Sequence, residues 1–265
     1  MNRKHTRGLS LVELMIALAI GLIVVGAVLA FTLSSLTANS EYVQSTRLSQ
    51  ELRNSMDFIS RELRRAGYDQ SQAAFIAASS VNAPVVSRFS RIFVTNTAAT
   101  NDGDGVDDEG CVIYAYDRAG GTNGTVDLAN GEIRAIRRAI RTVDGSSVGV
   151  LEVAESASSV TPSCTGAAPD YSSYPASCSS AGWCPLSDPR LVDITAFTLD
   201  TSGYISQPVT ATSTPVTMRE IGIDLQGQLR QSADGTFTRG IRSTVKVRAD
   251  CLEASANCAL APTGT

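Results

Sequence analysis

The sequence predicts an α+β fold in which one long N-terminal helix packs on an antiparallel β-sheet domain. Three observations point that way. Residues 14–33 form a run of twenty residues with no ionisable side chain. Leu48, Leu52, Met56, Ile59, Leu63 and Ala66 then recur at spacings of three and four, the stripe of an amphipathic helix. Beyond Tyr68 the texture changes to short apolar runs separated by Gly, Asn, Asp and Ser, the pattern of strands and turns.

The helix is expected over about residues 10–66. At ~1.5 Å per residue its apolar run is ~30 Å long, enough to cross a bilayer core. Arg3, Lys4 and Arg7 precede the run, which keeps the N-terminus cytoplasmic and sends the rest outward. The run is too long for an ordinary signal-peptide core, and no Ala-x-Ala site follows it. Ala17, Gly21 and Gly26 permit close helix contacts or reflect the composition of membrane helices. The second half of the helix reads as a plain core face. Arg61, Arg64 and Arg65 gather where the helix dipole favours cations, and Gly67 offers a C-terminal cap.

Glu13 is the anomaly of the apolar segment. A carboxylate at the bilayer centre costs ~2.5–3.5 kcal/mol on insertion scales, and at the edge it still calls for a partner. Cleavage between Gly8 and Leu9 supplies one, because it exposes an amine on Leu9 and makes Glu13 the fifth residue of the mature chain. In a stack of staggered parallel helices, one chain's amine meets its neighbour's Glu13 where water is scarce and pairing counts most.

The stretch RGLSLVEL (residues 7–14) therefore resembles the type III signal of type IV pilins and pseudopilins: basic leader, Gly, then Glu five residues past the cut. The resemblance implies that a membrane prepilin peptidase cleaves after Gly8 and methylates Leu9, and that Glu13 serves subunit assembly. Leu9 stands where the family usually has Phe. DFISRELRRAGYDQ, residues 57–70, resembles the helix end of PilW-like minor pilins. REIGIDLQGQL and GIRSTVKVRAD near the C-terminus agree in order.

The same resemblance implies a type IV pilin fold with four parts. They are a leader at 1–8, a transmembrane and filament-core helix at 9–36, an amphipathic helix at 37–67, and a β-rich periplasmic or extracellular domain at 68–265. The implied protein is a non-enzymatic minor type IV pilin that helps prime pilus assembly and sits in a tip complex. Its partners would be other minor and major pilins, the prepilin peptidase, the inner-membrane assembly platform and membrane lipid. It would reside in the inner membrane before assembly and on the pilus or cell surface afterwards. The rival readings are a type II secretion pseudopilin, a DNA-binding competence pilin and a membrane-anchored enzyme.

In the second part of the chain CVIYAY, EIRAIRRAI, GVLEVAE, LVDITAFTLD, REIGIDLQGQL and RSTVKVRA are candidate strands. EIRAIRRAI also has helical spacing at Ile133, Ile136 and Ile140; the family pattern favours a strand. The last two candidates read as an antiparallel hairpin. Residues 161–190, rich in Pro, Ser and Cys, read as a stapled surface loop without a regular element. Six cysteines, Cys111, Cys164, Cys178, Cys184, Cys251 and Cys258, all lie beyond the apolar run and so face an oxidising compartment. Proximity pairs Cys178 with Cys184 and Cys251 with Cys258, leaving Cys111 with Cys164, although six cysteines allow fifteen connectivities.

Composition excludes several functions. The formal net charge is −4, and removing Arg3, Lys4 and Arg7 takes it to −7, which disfavours nucleic acid as a general partner. The one histidine, His5, lies in the leader, so the mature chain lacks a Ser-His-Asp or Cys-His pair. TNDGDGVDDEG, residues 100–110, resembles in part a D-x-D-G calcium loop, with Asp102, Asp104 and Asp108 as candidate ligands. The other reading is an acidic solvated turn; Ca2+ is the only cofactor indicated. The basic run Arg134, Arg137, Arg138 and Arg141 reads as a solvated face or subunit contact ahead of a phosphate site. Tyr171, Tyr174 and Trp183 read either as an adhesive tip or as loop packing.

Overall fold

The computed structural model describes residues 10–71, 88–96, 109–120, 124–158, 160–173, 175–208, 215–230, 237–251 and 258–262. The chain divides into two units, Met1–Thr46 and Arg47–Thr265, and the helix α1 (Leu11–Arg65) contributes residues to both. In the first unit the helix is apolar all round over residues 14–31. Leu14, Ile16, Leu18, Leu22 and Leu29 are each more than half exposed, as suits a segment meant for an apolar surrounding. By length and composition α1 can cross a membrane.

In the second unit α1 buries the whole of its sequence-visible stripe: Leu48, Leu52, Met56, Ile59, Leu63 and Ala66 are all in the core. The helix ends by a capped turn. Gly67 takes φ +81°, a left-handed conformation that L side chains adopt at a cost, and its N–H reaches Ala115 O at 2.8 Å. The Tyr68 N–H closes back on Arg65 O at 3.1 Å.

The stripe packs on two antiparallel sheets. The larger has β1 (Ile92–Thr95), β2 (Cys111–Ala115), β3 (Ile133–Val143), β4 (Ser146–Glu155) and β5 (Trp183–Pro185) in chain order. The smaller has the order β10–β9–β6, formed by β6 (Val192–Asp200), β9 (Glu220–Leu229) and β10 (Thr238–Lys246). A hairpin of β7 (Ile205–Pro208) and β8 (Pro215–Met218) completes the described strands. Val112, Tyr114, Ile136 and Leu151 of the first sheet share the helix core with Phe197, Ile221, Ile223, Leu225 and Val245 of the second. The opposite face of the larger sheet is also covered. Cys111, Ile113, Ile133, Ala135 and Ala154 form a second cluster with Phe89, Val126 and Trp183. Double coverage explains why CVIYA is an unbroken apolar run.

The ambiguous EIRAIRRAI segment is strand β3, paired along its length with β4. The β3–β4 loop is Asp144-Gly145, with φ 51° and 77°, the geometry of a type I′ hairpin turn. One expectation is corrected. Within residues 161–190, Trp183–Pro185 form an edge strand on β4, because Trp183 is the side chain that fills the outer face of the sheet. β1, β7 and β8 also escape the sequence reading; each is only four residues long, too short for a period to register.

Candidate functional site: the processing segment and the helix anchor

Gly8, Leu9, Asp102, Asp104, Asp108 and Tyr174 lie outside the described residues. Glu13 is in the first turn of α1, where a carboxylate is favoured by the helix dipole, and it is exposed. Next to the acidic segment, Glu109 is buried; Arg138 approaches it at 3.8 Å. Among the described residues there is no group of three side chains suited to hold a metal ion.

The four arginines of β3 do not form a basic surface, which corrects the reading of a solvated face. A strand alternates its side chains, so Arg134 and Arg138 point to the helix side while Arg137 and Arg141 point to the other. Arg137 and Arg138 are only 2% and 4% exposed. Arg137 stands directly across from Glu152 on β4 and donates to it from Nε at 2.7 Å. Arg141 donates to the same carboxylate at 2.7 Å, and the Tyr171 hydroxyl does so at 3.1 Å. Burial raises the Tyr171 hydroxyl pKa, and the Glu152 charge adds to it.

The Arg137–Glu152 pair also holds the stapled loop. The Arg137 guanidinium lies 3.9 Å from the centre of the Trp183 ring and donates to Cys164 O at 2.8 Å and Gly166 O at 2.9 Å. Trp183 Nε1 donates to Ser163 O at 3.2 Å. Disulfides join Cys111 to Cys164, Cys178 to Cys184 and Cys251 to Cys258. Trp183 is therefore packing for the loop, fully buried, with no ring left for an adhesive surface.

On the helix side, Glu62 fastens α1 to the sheet. Its Oε2 accepts from Tyr114 at 3.1 Å, Tyr116 at 3.3 Å and Arg134 at 2.8 Å. Arg134 also donates to Glu155, its cross-strand partner, at 2.8 Å. Burial pulls the Arg134 pKa down, but Tyr114, Tyr116, Glu62 and Glu155 together outweigh it and hold the cation firmly charged. Burial, with Glu62 beside it, pushes the Tyr114 hydroxyl well up.

Sequence reading missed Glu62, although the signal was present: it lies three residues after Ile59 and four before Ala66, on the edge of the apolar stripe. It also missed Arg219, which is 1% exposed and donates to Ala249 O at 2.6 Å and to Ser90 O. Burial lowers the Arg219 pKa to about 10, against the opposing pull of Tyr204 and Asp250.

The helix α1 thus carries a carboxylate in its first turn, and its later part is fastened to the sheet through the buried Glu62. Residues 41–247 match the family described as prepilin peptidase-dependent protein B. The chain belongs to that family. Residues 3–29 match the prokaryotic N-terminal methylation motif. No curated protein and no solved structure matches the chain. Membership makes it a pilin-like protein that depends on prepilin peptidase, and so interacts with that enzyme. Such proteins are typically structural and not enzymes. Its N-terminal hydrophobic helix with a methylation motif is consistent with an inner-membrane prepilin.

Proposed function

We propose that this chain is a PilW-like minor type IV pilin that helps prime pilus assembly within a tip complex. The observation that carries the reading is the register of the N-terminus: Gly8, then Glu13 in the first turn of an apolar helix that has no other acid up to Leu33. In this reading residues 1–8 are a leader removed after Gly8, Leu9 is methylated, and 9–36 span the membrane and later pack in the filament core. Residues 37–67 carry the helix into the soluble domain, and 68–265 form that domain, on the outer side of the membrane. Glu13 pairs with the amine of a neighbouring pilin.

Mass spectrometry of protein from its native cell tests this directly. The expected N-terminus is methylated Leu9, and Glu13→Ala is expected to insert in the membrane but to be depleted from sheared filaments. A chain still beginning at Met1, or equal incorporation of Glu13→Ala, refutes the reading. Deletion that abolishes protein export and leaves twitching intact would assign the chain to a type II secretion pseudopilus instead. The burial of Arg137 and Arg138 argues against the DNA-binding alternative, since neither can reach a phosphate backbone.

A further inference from the structure

A cleft of about 630 Å³ lies beside the last turn of α1, between the segments that come after β2 and β10. Its walls carry five guanidinium groups, from Arg64, Arg65, Arg118, Arg134 and Arg248, against one carboxylate, Asp117. Three of the five already have acidic neighbours. Arg134 is held by Glu62 and Glu155, Arg65 is 3.5 Å from Glu62, and Arg118 is 3.6 Å from Glu155. Arg64 and Arg248 are exposed and have no ion-pair partner among the described residues. The helix C-terminus contributes roughly half a negative charge, so after Asp117, Glu62 and Glu155 are counted the cleft keeps an excess of about one to two positive charges. That excess sits on a chain whose net charge is −4.

Asp117, the one carboxylate of the lining, is only 3% exposed, and its Oδ2 takes N–H donors from Gln70 and Gly124, each at 3.1 Å. Tyr68, half exposed at the rim, adds an amphipathic ring of the kind favoured at protein interfaces.

We propose that this cleft docks an acidic peptide segment of a neighbouring subunit, its carboxylates paired with Arg64 and Arg248. The identity of the partner rests on the filament-subunit reading; the binding itself does not. Arginine suits this role because its planar fork meets a carboxylate with two parallel hydrogen bonds.

The test uses the full chain in neutral detergent micelles and the fluorescence anisotropy of labelled hexaglutamate, with hexaserine as control. Hexaglutamate is expected to bind, and Arg64→Ser with Arg248→Ser to weaken it by roughly tenfold. Arg64→Lys with Arg248→Lys should keep part of the affinity. Both positions are exposed, so unchanged near-ultraviolet circular dichroism is expected for either double variant. Equal binding of hexaserine, or undiminished binding in the Ser variant, overturns the proposal. So does displacement of the probe by inorganic phosphate or by phosphatidylglycerol micelles more effectively than by unlabelled hexaglutamate. The depletion of Glu13→Ala from filaments tests the subunit reading separately, so each can fail alone.

Discussion

Replacing Glu62 by Gln removes a charge and little else. The new amide would keep a carbonyl oxygen for the hydroxyls of Tyr114 and Tyr116, but Arg134 would lose the buried half of its pairing. Breaking a fully buried ion pair costs ~3–5 kcal/mol. Here Glu62 is 4% exposed but Arg134 is 17% exposed and retains Glu155, so about half of that, ~2 kcal/mol, is expected. With a urea slope of ~2–3 kcal/mol/M, the midpoint should fall by ~0.7–1 M. Tm should fall by ~4–8 °C for a domain of this size. The single tryptophan, Trp183, is fully buried and reports the transition by fluorescence of the full chain in micelles. Combining Glu62→Gln with Arg134→Gln should cost less than the two separately, by at least ~1 kcal/mol. A Glu62→Gln midpoint within ~0.2 M of the parent would refute the view that this carboxylate fastens the helix to the sheet.

Gly67→Ala meets two obstacles, a φ of +81° and an added Cβ only 2.9 Å from that of Ala249, and should lose about 2–4 kcal/mol in the same assay. The disulfides should differ in worth. Cys111→Ala with Cys164→Ala opens a separation of 53 residues and should cost ~4 kcal/mol, whereas Cys178→Ala with Cys184→Ala opens one of 6 and should cost ~2 kcal/mol; the reverse order would count against loop entropy as the main contribution. Burial raises the Glu51 carboxyl, the Asp188 N–H lowers it and the Asp188 charge raises it, with a net rise. The folded state thus holds this proton more tightly than the unfolded state. The resulting stability is fully present below about pH 4.5 and is lost as pH rises through the folded value. Glu51→Gln should therefore be more stable than the parent near neutral pH, with a flatter stability profile between about pH 4 and 7; parallel profiles would contradict this.

Much of the architecture was legible because it is encoded locally. A period of 3.6 marks Leu48 to Ala66 as a buried stripe, and all six residues are in the core. Strand β9 shows the period of two in its burial, and β2 shows the unbroken apolar run of a strand covered on both faces. The edge strand at Trp183–Pro185 was not legible, since three residues carry no period and their place depends on what the outer face of the sheet lacked. The Asp144-Gly145 dipeptide did carry a hairpin signal in the sequence.

The amino-acid order by itself determined the apolar helix, its lone Glu13, the cap at Gly67 and the strand-rich character of the chain beyond Tyr68, because each depends on neighbours a few residues away. Only the tertiary structure decided the fate of the charges. Strand alternation divides the four arginines of β3 between two faces, and register brings Arg137 opposite Glu152 and Arg134 opposite Glu155. Glu62, 72 residues before Arg134 in the chain, becomes its partner only when helix and sheet are packed together. The sign of a charge is written in the sequence, but whether it meets water, a partner or the wall of a cleft depends on distances that exist only after the chain has folded.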